Sequence, residues 1–175
     1  MKEALDCNQQ VDRDCFLKIN GLYIHYASNG GLLPISFVER NEQLGKIVKR
    51  MPDIYVCDDL IINPKLREIL KIEDLRDEYE IVLSALNITL GNDVINSYLE
   101  KLYIPAFSKF ARKGFISFDS DGDDKAFWVV RPSTEIASID LDENEVPNIE
   151  ISGIDLCGDN PYPLIPLYNS AKDLE

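Results

Sequence analysis

The chain has 175 residues, 45% of them hydrophobic, and carries 18 Lys and Arg against 31 Asp and Glu, a formal net charge of −13. That length and apolar content suit one well-buried core, and the charge disfavours nucleic acid and anionic membrane as partners. Four scattered cysteines (Cys7, Cys15, Cys57, Cys157) and one histidine match none of the usual zinc patterns.

In chain order, residues 16–27 read as a strand pair turning at Asn20-Gly21, a dipeptide that accepts the positive φ angles of a tight hairpin. Asn29-Gly30-Gly31 breaks the chain. Pro34 and the Ser36/Glu39 capping-box pattern then introduce a helix, with Phe37, Leu44, Ile47, Val48 and Met51 at helical spacing and Pro52 as its stop. Ile54-Tyr55-Val56 is a short β-type run. Asn63-Pro64 opens a short helix through Leu70. Residues 74–86 predict another helix, although Ile81-Val82-Leu83 also suits a buried strand. Asn92 is the expected cap of the next helix, whose apolar face is Val94, Ile95, Tyr98, Leu99 and Leu102. Pro105 interrupts it, and a second segment runs to Lys113, where Gly114 fits a helix end.

Beyond Gly114 the pattern becomes β. Residues 115–118 and 126–131 flank Asp119-Ser120-Asp121-Gly122-Asp123-Asp124 as a hairpin. Residues 134–140 and 148–155 are strand-like and joined by an acidic turn at 141–146, with a Pro-rich extended segment at 161–167. The order predicts an α+β class: one domain over 1–175, with central helices and a C-terminal antiparallel sheet.

Charge is segregated along this order. Residues 115–175 hold 14 acidic against 3 basic side chains, a net of −11, whereas the first 114 residues net only −2. The same acidic stretch carries Phe115, Phe118, Phe127, Trp128 and many isoleucines, too much apolar residue for a disordered tail. The acids therefore belong to the surface of a folded region, where a directional field steers a basic partner.

No motif for chemistry competes with this reading. Counted from Asp119, an EF-hand loop needs Gly sixth and Glu twelfth, but the chain has Asp124 and Val130 there. No metal or cofactor is expected. His25, the sole candidate for a Ser–His–Asp or Cys–His system, has no nucleophile motif nearby, and a hydrolase built on it requires a concave pocket containing it. Lys49-Arg50 and the Lys109, Arg112, Lys113 cluster end helices, where cations meet the favourable dipole. Trp128, adjoining the acidic hairpin, becomes an interface anchor if its ring points outward; alternation leaves Trp128 or Phe127 as the outward ring.

The layout from Phe110 through Gly114 and Phe115-Ile116-Ser117-Phe118-Asp119 into Lys125-Ala126-Phe127-Trp128-Val129-Val130 runs helix, glycine, strand, acidic turn, aromatic strand. It resembles bacterial immunity proteins of contact-dependent inhibition and related polymorphic toxin systems, including the SUKH superfamily, over the final third of the chain. The resemblance implies a non-enzymatic stoichiometric inhibitor of a basic toxin domain such as a nuclease. The alternative is an acidic nucleic-acid mimic or adaptor that blocks a host DNA- or RNA-binding protein. The expected partner-binding residues are Asp119, Asp121, Asp123, Asp124, Trp128, Asp140, Asp142, Glu143 and Glu145. No apolar run follows Met1-Lys2-Glu3 to suggest a signal peptide, and no window approaches the ~20 apolar residues of a membrane span. A cytoplasmic protein with reduced thiols is expected.

Overall fold

The computed structural model describes residues 14–27, 35–71, 76–88, 93–120, 126–134, 139, 141–142, 146–150, 152 and 156. Strands β1 (Asp14–Ile19) and β2 (Leu22–Ala27) form the expected hairpin, with Ile19 opposite Leu22 and both loop residues at positive φ, Asn20 at 50° and Gly21 at 79°. Helix α1 (Ile35–Arg50) comes next and already includes Ser36, so the expected capping serine lies inside it. It lays Leu44 and Val48 against Phe16 and Tyr23 of the hairpin.

The next strand is not where the β-type run lay. Ile54 and Tyr55 instead donate their N–H groups to the Arg112 carbonyl, and β3 (Leu60–Ile62) forms three residues after Cys57. Ile54 and Val56 stay exposed, so burial does not hold that run in a sheet. Asn63 starts the turn into α2 (Leu66–Ile69) by accepting the Lys65 N–H. Helix α3 (Arg76–Ala85) lies within the expected 74–86 span. Its end is closed at Asn87, φ 53°, with Asn87 N–H bonded to the Ser84 carbonyl and Ile88 N–H to that of Leu83.

Helix α4 (Val94–Tyr98) is capped by Asp93 rather than Asn92, its carboxylate accepting the N–H groups of Ile95 and Asn96. Pro105 does not interrupt the helical path. A π-helical turn over Leu99–Tyr103, in which Ile104 N–H reaches the Leu99 carbonyl, leads directly into α5 (Ile104–Ala111). Proline has no N–H to give and crowds the preceding turn, and the wider i→i+5 turn accommodates it. Gly114, at φ 95°, ends the helix as expected: its N–H bonds to the Ala111 carbonyl, and that of Phe115 to Phe110.

Strands β4 (Ile116–Ser120) and β5 (Ala126–Pro132) are antiparallel neighbours, as the hairpin pattern predicted. The whole sheet, however, is mixed, in the order β3-β5-β4-β2-β1-β6. β2 pairs parallel with β4, because the helices from α1 to α5 supply a connection long enough for a parallel crossover. β6 (Asn148–Ile149) lies at the far edge, parallel to β1, so the 115–155 region does not form one run of adjacent antiparallel strands. The expected strand over 134–140 does not appear in its described part: Thr134 is in a bend and Ile139 in no strand. Its other residues, the Asn29-Gly30-Gly31 break and the 161–167 segment lie outside the described residues.

Both sheet faces are buried. One carries Leu17, Ile19, Ile24, Tyr26, Phe118 and Trp128, with Ile149 and Leu156 packed on them. The other meets the helices, through Phe16 and Phe115 beneath α1 and Phe127, Val129 and Val130 beneath α5. Two successive valines face the same layer because the register shifts between Ser117 and Phe118: Ser117 pairs with Val130 and Phe118 with Trp128, leaving Val129 as the extra residue of a β-bulge.

Candidate functional site

Burial fixes the orientation of Trp128 beside this bulge. Its ring lies in the core at 4% exposure, and Phe127 is buried on the opposite face at 2%. The expectation that one of the two rings points outward fails because both faces of β5 are covered, whereas alternation presumes one solvated face. The outward ring on which Trp128 would anchor an interface is therefore not present. Asn63, 2% exposed, fastens this stretch from the end of β3: its Nδ2 donates to the Trp128 carbonyl at 2.7 Å and its backbone N–H to that of Val129 at 2.9 Å.

Among the expected acids, Asp142 is exposed. Asp119 is half-buried, and its Oδ2 accepts a hydrogen bond from the Tyr103 hydroxyl at 2.6 Å while Oδ1 accepts the Ser120 N–H at 2.8 Å. It anchors the base of the acidic connection and is not a freely solvated carboxylate. Asp121, Asp123, Asp124, Asp140, Glu143 and Glu145 lie outside the described residues.

Tyr103 belongs to an aromatic ladder that no local pattern announces. Tyr79 of α3 stacks on Tyr98 of α4, ring centroids 4.0 Å apart and planes 21° apart; Tyr98 lies 5.9 Å from Tyr103, and Tyr103 5.0 Å from Phe107. Tyr98 and Tyr103 are five residues apart, a spacing that a regular α-helix turns to different sides and the intervening π turn brings together. Burial first, then the proximity of Tyr79 and Asp119, pushes the Tyr98 hydroxyl up to about 12. Burial, then the charge and hydrogen bond of Asp119, holds Tyr103 well above its ordinary value. Both phenols are neutral donors across the physiological range. The three tyrosines are each only partly buried, so the ladder runs from the surface of α3 to the root of the acidic β4–β5 connection. The proline within an otherwise helical pattern was the one sequence signal for it.

Two other clusters have structural roles. A cavity of about 260 Å³ opens between the C-terminal ends of α1 and α5, lined by Lys49, Asp53, Lys109, Phe110, Arg112 and Lys113. Asp53 is its hub, 3.0 Å from Lys113 Nζ and 3.7 Å from Arg112 Nε, and Lys113 also donates to the Met51 carbonyl. With the Ile54 and Tyr55 bonds to Arg112, these contacts tie residues 51–55 to the end of α5. The cations there also complement two helix C-termini.

His25 is 1% exposed and does not line that cavity. Its ring stacks on Phe110 at 3.9 Å between centroids, and Nε2 lies 3.0 Å from Asp14 Oδ1. Burial works to raise the Asp14 pKa, but the hydrogen bond and charge of His25, with Lys109 and Lys49, outweigh it and hold the carboxyl below its ordinary value. Among the described residues, His25 is packed in the core against Phe16, Phe107 and Phe110.

Among the described residues, no group of three or more His, Cys, Asp and Glu side chains is placed to hold a metal ion, and no helix is long and apolar enough to cross a membrane. The chain matches no protein-family model, no curated protein and no solved structure.

Proposed function

We propose that this protein is a stoichiometric inhibitor that binds a basic toxin domain, in the manner of the immunity proteins its C-terminal third resembles. A nuclease fits the target best, because a surface that grips phosphates is itself basic. The observation that carries this reading is the Tyr79–Tyr98–Tyr103 ladder ending in the Tyr103–Asp119 hydrogen bond. It sets partly exposed tyrosines beside the start of a stretch of net charge −11. Carboxylates steer a cationic partner at rates up to about 10⁸–10⁹ M⁻¹s⁻¹ at low salt, and tyrosines hold it once docked. The fixed geometry of the ladder limits the entropy lost on binding.

The test begins with capture of the partner from the native host at low salt, followed by stopped-flow association. Asp121→Lys with Asp123→Lys slows association and flattens its salt dependence, whereas Tyr98→Ala chiefly speeds dissociation. An association rate unchanged by the double charge reversal at low salt overturns this reading.

A further inference from the structure

Helix α3 turns an apolar face to solvent. Ile81 is 69% exposed, Val82 41% and Leu86, just past the helix, 53%, while Leu83 alone is fully buried. Helical spacing gathers Ile81, Val82 and Ala85 on one side and turns Tyr79 and Leu83 toward the core, and the exposed Leu86 follows directly after the last turn. A helix whose outward side is merely solvated is polar there, so these side chains mark a contact surface. The face is also held in shape, because the Asn87 turn closes the helix end with two backbone hydrogen bonds.

The chemistry of the rim selects the occupant. Asp77, Glu78 and Glu80 are all exposed around this apolar strip. A second copy of the chain would bring the same carboxylates against them, and like charges brought together oppose such a pairing. A complementary occupant carries aliphatic or aromatic side chains flanked by Lys or Arg. We propose that the outward face of α3 docks a basic amphipathic segment of the partner protein, with Ile81, Val82 and Leu86 as its apolar anchors and Asp77, Glu78 and Glu80 as its charge rim. This rests on the reading of a basic protein partner, and it adds the exposed residues of α3 to the contact surface.

The probe is a fluorescent Leu/Lys amphipathic peptide of about 14 residues, long enough for a helical turn pattern, followed by anisotropy. Two controls accompany it: a Leu/Glu peptide of the same pattern, and a Lys/Ser peptide with the charge but no apolar face. Wild type binds the Leu/Lys peptide in a salt-sensitive manner, and both controls at least about tenfold more weakly. Ile81→Ser with Val82→Ser weakens Leu/Lys binding at least about tenfold. Both residues are exposed, so thermal midpoints stay near wild type; Leu86→Ser, outside the helix, weakens binding in the same direction as an independent variant. The proposal is overturned if wild type does not bind the Leu/Lys peptide, or if the double variant retains its affinity within about twofold. It is equally overturned if the Leu/Glu peptide binds as well, or if wild type sediments as a dimer that the double variant dissolves. Retained peptide binding by the α3 variant alongside loss by Asp121→Lys/Asp123→Lys removes the α3 surface and leaves the basic partner standing. The opposite pattern removes the acidic connection and keeps α3.

Discussion

Replacing Tyr103 by Phe removes one oxygen and leaves the ring contacts with Tyr98 and Phe107 in place. The lost bond is short, 2.6 Å, and its acceptor is a carboxylate, the type that contributes about 1.5–3 kcal/mol. Asp119 keeps the Ser120 N–H on its other oxygen and is only half-buried, so the lower part of that range applies, about 1.5–2 kcal/mol. For a chain of this size that corresponds to a fall of about 3–8 °C in Tm. The pH dependence separates this bond from simple packing. The folded-state pKa of Tyr103 is raised above the unfolded value, so its contribution is complete below about pH 10 and is lost as pH rises through the folded value. Urea midpoints from about pH 8 to about pH 11.5 therefore fall more steeply for wild type than for Tyr103→Phe. A variant within about 0.5 kcal/mol of wild type at neutral pH, with the same alkaline slope, refutes the reasoning.

Asn63→Ala leaves the buried Trp128 carbonyl without its side-chain donor and opens the part-buried Lys65 N–H bond to solvent, and destabilises by about 1–3 kcal/mol; chemical denaturation measures it, and a change near zero removes Asn63 as the fastener of the bulge. Asp14 has a folded pKa below its unfolded value, so its stabilisation is present above about pH 4 and is lost as pH falls through the folded value. Asp14→Asn accordingly shows a shallower acid loss of urea midpoint than wild type, and parallel acid profiles count against the His25 pairing.

Local signals in the sequence translated well into structure. Asn20-Gly21 marked the first hairpin, Gly114 the helix end, and the flanks of the acidic connection became β4 and β5, because each depends on a few adjacent backbone angles or on alternation within one segment. What the sequence hid depends on distant partners. The parallel β2–β4 register and the placement of β6 beside β1 are decided by how helices cover the sheet, which no strand pattern encodes. Trp128 was indeterminate because alternation separates two faces without saying that both are covered. The tyrosine ladder draws on positions 79, 98 and 103 in two helices and a π turn, so only the tertiary packing assembles it. The acidic stretch was legible as charge but not as geometry, and the hydrogen bond from Tyr103 gives Asp119 a structural role beside its charge.

The central pairing of Ile24 with Ile116 has a consequence for how the protein is made. The first hairpin closes locally and soon after synthesis, yet the outer edge of β2 stays open until β4 leaves the ribosome. At about 5–20 residues per second, the roughly 90 intervening residues take on the order of 5–20 s. During that interval the nascent chain exposes an unpaired strand bearing Ile24 and Tyr26, the kind of edge that recruits other strands. Fragments stopped before Ile116 should therefore be prone to aggregation, and slow assembly of this non-local pair should dominate refolding of the full chain.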